Sequence, residues 1–276
     1  WARSYAAMCY LLTQLGRMGA IMYLLALALQ PMIGWSIPTL IVLTGVTVIV
    51  YTLIGGMEAV IWTDVVQSIV FIIGALVCVA VLWLGLPQGP GQFFEIAARE
   101  NKFSLGSFDL NVTQATVWVV LLNSIFINLQ NFGIDQSYVQ RYSTATNERE
   151  AAKSVWVGAL LYVPISGVFF LIGTLLFAYY TARPELLPAG MKSDAIFPHF
   201  IATGLPVGLA GLVIASVFAA AQSTVASSIN CSATLFLCDF YRRYVRPGAG
   251  NSESMTVLRV ATVAFGVAGT VMGFAM

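Results

Sequence analysis

Charge is scarce in this chain. Only 9% of its 276 residues are Asp, Glu, Lys or Arg, and the formal net charge is +1. There is therefore no basic field for nucleic acid and no acidic tail, and nucleic acid is not an expected partner. Histidine occurs once, as His199 in a polar connection. An intramembrane serine hydrolase needs a His or Lys beside its nucleophile, and no lysine lies near the serines around Ser223, so the chain does not read as an enzyme. The four cysteines, Cys9, Cys78, Cys231 and Cys238, fall in apolar segments without the paired spacing of a zinc site or a disulfide framework. They are expected to be packing residues. No signal peptide is visible, the first residue is Trp1, and Met276 ends inside an apolar run. Both ends read as cut, as in a fragment of a larger protein.

Apolar residues are abundant: 59% of the chain is hydrophobic and the mean hydropathy is +0.85, the composition of an integral, multi-pass protein of the cell (plasma or inner) membrane. A bilayer core of about 30 Å takes roughly 20 apolar residues as helix. Such stretches run about Ser4–Gly34, Pro38–Ile54, Ala59–Leu86, Thr116–Tyr138, Ser154–Tyr180 and Val207–Phe240, with a last one from about Val257 to the end. These predict seven transmembrane helices in one all-α domain, 1–276. Pro31 and Pro38 bracket the first turn, "LIGGME" (Leu53–Glu58) separates the second helix from the third, and Pro87–Pro90 ends the third. The connections Pro87–Ala115, with an amphipathic "GQFFEIAARENK", and Thr181–Pro206 have room for short surface helices. Arg3, Arg141, Arg149, Lys153, Arg242, Arg243, Arg246 and Arg259 share one side of this arrangement, and Arg99, Lys102, Arg183 and Lys192 the other. The positive-inside rule makes the first group, and the Trp1 end, cytoplasmic. Asn111-Val112-Thr113 forms a sequon on the outer side.

Ionisable side chains inside a membrane segment are costly and need a partner or a task. Arg17, Asp64 and Asp135 qualify; the plain alternative for each is a buried ion pair or a side chain reaching a headgroup. Arg17 and Asp64 sit well inside their helices. The stretch "FAAAQSTVASSIN" (Phe218–Asn230) puts Ala220, Ser223, Thr224 and Ser227 on one helical face at i, i+3, i+4, i+7, extended by Ser216, Asn230 and Thr234. Small residues let helices approach, and hydroxyls bond back to the preceding turn. A whole stripe of oxygens, with an aspartate elsewhere in the bundle, also suits a hard cation such as sodium. In "NLQNFGIDQSYVQR" (Asn128–Arg141), Gly133 lies among Asn128, Gln130, Asn131, Asp135 and Gln136. The pattern is that of a broken helix lining a solute cavity, or of a polar helix end in which Asp135 and Gln136 have no further role.

Three motifs in order, "GGMEAVIWTDVVQ" (Gly55–Gln67), "GIDQSYVQRY" (Gly133–Tyr142) and "STVASSINCSATLFLCDFY" (Ser223–Tyr241), resemble the sodium/solute symporter family, whose members carry sugars, proline, sialic acid, iodide, monocarboxylates or vitamins. The resemblance covers essentially the whole chain. It implies the leucine-transporter-type fold of two inverted five-helix repeats with solute and sodium near the midplane. On that plan the chain supplies core helices 3–9, without core helices 1, 2 and 10.

The family's shared sodium site falls on Ala220, Ser223 and Thr224. A second sodium site found in some members falls on Asp64 and Ser227, with Ala226 standing where a further hydroxyl would be; that alanine favours one sodium over two. Arg17 resembles the cation that contacts solute in sugar and sialic acid carriers, and its fork suits a carboxylate or polyhydroxyl. Asn128 matches a sugar-contacting asparagine and Phe132 an aromatic near the gate. Asn131 replaces the gate tyrosine and Tyr162 a sugar-binding lysine, departures that argue against a standard glucose or galactose site. The resulting expectation is a sodium-coupled symporter importing a sugar acid, another organic anion or a sugar by alternating access, with sodium as coupling ion, no organic cofactor, and the lipid bilayer as its surroundings. The alternative is a symporter-like sensor domain followed by a signalling region.

Overall fold

The computed structural model describes all residues, Trp1–Met276, and contains helices and connections only. Five helices are long and apolar enough to cross a membrane, and a bent pair adds a sixth span. One of the five, α2 (Ile37–Leu84), has 48 residues. At 1.5 Å per residue it would reach about 72 Å, far more than a bilayer core. It is interrupted at Gly56, whose φ of 53° and ψ of −142° are non-helical. Only glycine adopts such a conformation freely. The "LIGGME" break is therefore real, and α2 is two spans, giving the seven that the sequence predicts.

The chain divides into two compact units, Trp1–Cys78 with Gly190–Met276, and Val79–Ala189. In the first unit, α1 (Ala2–Ile33) ends on Gly34 in the left-handed conformation at φ 79°. Its N–H reaches the Gln30 carbonyl at 2.8 Å, so the helix runs through Pro31 and closes just beyond it. Met18, Met22, Leu25 and Leu29 follow the i, i+4, i+7, i+11 spacing of one face and are fully or almost fully buried. They pack with Leu40, Ile41 and Val48 of the first arm of α2, Val60 of the second, and Val225, Ala226 and Ile229 of α8 (Val207–Phe236). Between α7 (Ser193–Thr203) and α9 (Asn251–Phe274), α8 is the longest single span of the C-terminal stretch. Glycines set the closest approaches: Gly269 of α9 faces Met18, Gly266 faces Ile49, and Gly19 of α1 lies against Met272 and Gly273.

Beyond Phe236 the chain continues as a π-helical segment, Leu237–Val245, so the span predicted to end at Phe240 is extended. The Arg246 N–H bonds the Tyr241 carbonyl, five residues back, at 2.9 Å. Side chains tie this end down: Arg3 pairs with Asp239, Tyr241 donates to Glu253 at 2.7 Å, and Arg246 pairs with Glu253 at 3.0 Å. Of the four cysteines, Cys78 and Cys231 are packing residues as expected, but Cys9 and Cys238 are exposed. Apolar composition places a residue in a span without saying which face it takes.

In the second unit, α3 (Gly91–Arg99) buries Phe93, Ile96 and Ala97. It packs on α6 (Glu148–Ala182), as the amphipathic "GQFFEIAARENK" implies. Asn147 caps α6 by accepting from Glu150 N–H at 2.9 Å. The fourth predicted span is α4 (Val117–Gly133) followed by α5 (Gln136–Tyr142), bent by 49°. The 181–206 connection holds a 3₁₀ turn, Pro184–Leu186, and then, in the first unit, α7.

The α1–α9 contact is testable. A methyl group on Gly19 would lie 2.8 Å from Met272 Cβ and 2.9 Å from the Met272 backbone carbon, so neither neighbour can yield without moving α9. Gly19→Ala in the full-length protein is expected to destabilise by about 1–3 kcal/mol, read as a lower unfolding temperature in detergent. Gly16→Ala, three residues earlier with open space at its Cβ, is the control and should leave it unchanged.

Candidate functional site

The polar face of α8 meets α2, and the break at Gly56 lets both arms of α2 contribute. From the second arm, Asp64 accepts a hydrogen bond from the Ser223 hydroxyl. From the first arm, Thr47 Oγ1 accepts from Gln222 Nε2 at 2.7 Å, and the Tyr51 hydroxyl donates to the Gln222 carbonyl at 3.2 Å. Two consecutive residues of α8 are thus held from two sides. Thr224, the next residue, donates to the Ala220 carbonyl at 3.2 Å. Two oxygens at that separation can both reach one hard cation at about 2.3–2.6 Å from each.

Burial divides the stripe. Ala220, Ser223 and Thr224 are half-buried, whereas Val225 to Ile229 are buried. Ala226 is fully buried in the apolar core with Val225 and Ile229. Ser227, 8% exposed, follows it in the same buried turn. Ser216 takes the plainer role. It bonds back to Val213 at 2.7 Å and faces Gly74, where a side chain would collide with it, so its small size serves helix approach. Asn230 donates to the Met57 sulfur at 3.1 Å, a weak acceptor beside the Gly56 break. Arg17 lies on α1 in this unit, is exposed, and forms no ion pair or hydrogen bond.

Asn128, Asn131, Phe132, Asp135 and Tyr162 belong to the second unit. Asn128 donates to the Ser124 carbonyl at 2.8 Å, and both line a groove of about 610 Å³ whose other walls, including Val120 and Ile125, are apolar. Asn131 and Phe132 are half-buried near the end of α4, and Phe132 packs against Tyr138 of α5 with ring centroids 5.2 Å apart. The helix breaks after Gly133. The Ile134 and Asp135 N–H groups share the Gln130 carbonyl at 3.0 Å, and Asp135 caps α5 by accepting from Ser137 N–H at 2.7 Å. Of the two readings of Asp135, the helix-end one has a direct structural counterpart. Tyr162 is 70% exposed.

Sequence reasoning missed Thr47 and Tyr51. A threonine and a tyrosine in an apolar helix are ordinary, and only the rotation of the first arm about its axis shows that they face α8.

Comparison with known proteins adds a separate line of observation. The model of the sodium:solute symporter family matches residues 2–274. The sodium/sialic acid symporter of Proteus mirabilis is 36% identical over 267 residues, covering 96% of this chain and 54% of that protein. That of Aliivibrio fischeri is 36% identical over 270 residues, covering 98% and 53%. The sodium/glucose cotransporter of Vibrio parahaemolyticus is 29% identical over 271 residues, 88% of this chain and 48% of that one. Among solved structures, the substrate-bound outward-open state of a Na+-coupled sialic acid symporter superposes with a TM-score of 0.93 at 33% identity, over 98% of this chain and 58% of that chain. The chain thus spans about half the length of the curated relatives it matches.

The Ser223–Asp64 bond is measurable in the full-length protein. Asp64→Ala is expected to cost about 1–3 kcal/mol of stability by leaving a half-buried hydroxyl unpaired. Asp64→Asn, which keeps an acceptor oxygen, is expected to cost less. In a double-mutant cycle with Ser223→Ala, a coupling energy indistinguishable from zero would show that the two side chains are not bonded.

Proposed function

The chain belongs to the sodium:solute symporter family, and from that premise we propose that it is the larger part of the transport core of a sodium-coupled symporter. The solute is a sugar acid such as sialate, or another small organic anion, in preference to a neutral sugar. It moves inward by alternating access, with the Trp1 end on the cytoplasmic side of the cell membrane. The observation that carries this reading is the pairing of the Thr224 hydroxyl with the Ala220 carbonyl beside Ser223 on the half-buried face of α8. These three residues would supply hydroxyl and carbonyl oxygens that replace water around sodium with little added charge.

One coupling sodium is favoured over two. A second ion at Asp64 and Ser227 would use a side chain that already holds Ser223, and the intervening position, Ala226, is packed in the core with no oxygen to offer. Asp64 in this reading positions the Ser223 ligand and lies on the sodium path. Sodium bound more tightly in the outward-facing state would raise solute affinity there, because coupling is differential binding to two states. Each charge moved inward gains about 2.3 kcal/mol per 100 mV.

For the solute, Arg17 is proposed as the partner of the carboxylate. An exposed guanidinium within a membrane helix, with no protein anion engaging it, is available to a bidentate acceptor. The relatives at 36% identity are sialic acid carriers, which supports the acidic solute. Asn128, Asn131 and Phe132 are proposed as further solute contacts, on the strength of the family resemblance and of the groove that Asn128 lines.

Two measurements in proteoliposomes with the full-length protein test this. Ser223→Ala with Thr224→Ala is expected to raise the sodium half-saturation at least about tenfold, since ligands to a charged group are worth roughly 1.5–3 kcal/mol each; an unchanged value rules out the sodium site. Arg17→Ala is expected to weaken uptake of a carboxylated sugar far more than uptake or binding of its neutral counterpart. If all solutes lose equally, and in proportion to protein abundance, Arg17 has no part in recognition.

A further inference from the structure

Arg259 of α9 is an exposed cation with no hydrogen bond or ion pair. The apolar run of α9 begins at Val257, so Arg259 sits where hydrocarbon gives way to headgroups. The one carboxylate earlier in its helix, Glu253, is already engaged by Tyr241 and Arg246. Two grooves flank the next turn of the helix. One, of about 670 Å³, includes Arg259 itself among its walls, with Leu53 and Ile54 of α2 and Val260, Val263 and Ala264 of α9. The other, of about 380 Å³, runs between α9 and the π-helical segment and is lined by Phe236, Tyr241, Phe265, Val260 and Ala264 among others. Val260 and Ala264, at i and i+4, wall both, so a single ridge of α9 separates them. Val260 is 64% exposed at the crest of that ridge.

A free guanidinium at headgroup level, with an apolar trough on either side of the ridge that follows it, is complementary to one class of molecule: an anionic phospholipid. We propose that α9 binds an anionic phospholipid of the leaflet at the arginine-rich end, the phosphate on Arg259 and an acyl chain in each trough. The guanidinium fork takes two phosphate oxygens, as a point charge would not. Basic pockets between transmembrane helices recognise acidic headgroups in this way. The troughs add what an unspecific surface attraction lacks, because a chain lying in them is fixed relative to the phosphate. Arg242 contributes less: it donates to Ser254 at 2.9 Å and is partly committed.

The test uses the full-length protein, delipidated in detergent and examined by native mass spectrometry with phosphatidylglycerol or phosphatidylcholine of identical chains. Wild type is expected to retain phosphatidylglycerol about fivefold more strongly than phosphatidylcholine, the worth of one basic residue at a membrane surface. Arg259→Gln is expected to bring the two lipids level, and Ala264→Trp, which fills both troughs at the ridge, to weaken retention with the charge in place. On wild type alone, phosphatidylglycerol is expected to protect Arg259 from an arginine-specific reagent such as phenylglyoxal, and phosphatidylcholine not to. Equal retention of the two lipids by wild type, or undiminished preference in Arg259→Gln, overturns the proposal. So does displacement of the lipid by inorganic phosphate, which would mark a free-anion site. Failure of phenylglyoxal to label Arg259 in the delipidated protein also overturns it, because the guanidinium would then be covered by another part of the chain.

Discussion

The polar half of this structure depends on the hydrogen bond between Ser223 and Asp64. A carboxylate inside a membrane segment is expensive unless something satisfies it. A hydroxyl on the facing helix does so, and in return its own oxygen is fixed in place. The bond exists only because α2 is broken. With 48 residues in one straight rod, Thr47, Tyr51 and Asp64 could not all face the same turns of α8. Gly56, with its positive φ, breaks the helix, and beyond the break Asp64 reaches Ser223 while Thr47 and Tyr51, before it, hold Gln222. Three polar side chains of α2 thereby gather on two consecutive residues of α8.

The same helix shows why a stripe of small oxygens does not have a single meaning. Along α8 the serines change task with depth. Ser216 accommodates Gly74 and bonds to its own backbone; Ser223 and Thr224 sit half-buried with neighbours that are themselves ligands in kind; beyond Val225 the helix closes into apolar packing. Ala226 belongs to that closed region. A hydroxyl there would need a partner among Val225, Ile229 and the methionines of α1, and burying it unpaired would cost about 1–3 kcal/mol. Its lack of an oxygen and its place in the core are one fact.

Much of this was readable in the sequence because it rests on local rules. The spans follow from apolar length, the Gly55-Gly56 break from glycine's conformational freedom, the bend after Gly133 from a glycine followed by a capping aspartate, and α3 from its amphipathic phase. The oxygen face of α8 follows from i, i+3, i+4 spacing. What could not be read is whatever depends on rotation about a helix axis. Nothing local distinguishes Thr47 and Tyr51, whose side chains reach α8, from Thr44, whose buried hydroxyl bonds back to Leu40 of its own helix. Nor does composition separate Cys231, which is buried, from Cys238, seven residues on and exposed. Cys231 lies in the α-helical part, whereas Cys238 lies in the π-helical segment that begins at Leu237, where the wider winding changes the phase that simple periodicity would extrapolate.

The first unit combines a firm frame with a more adjustable polar face. Close glycine contacts lock α1 to α9, since Gly19 and Gly269 leave no room for sliding without collision. Densely packed interfaces of this kind are bistable at best and do not deform continuously. The Ala220–Thr224 turn, by contrast, is held mainly by hydrogen bonds through Gln222 and Ser223, and these can be exchanged for others of similar strength. In the proposed site, replacing the Asp64 acceptor by a cation at Ser223 would need a rotation of one hydroxyl and no repacking of the core. A face built from exchangeable hydrogen bonds on a frame built from backbone contact can respond to an ion without unfolding. Any rearrangement of that turn would be felt first by α2, whose two arms are bonded to it on either side of the Gly56 break.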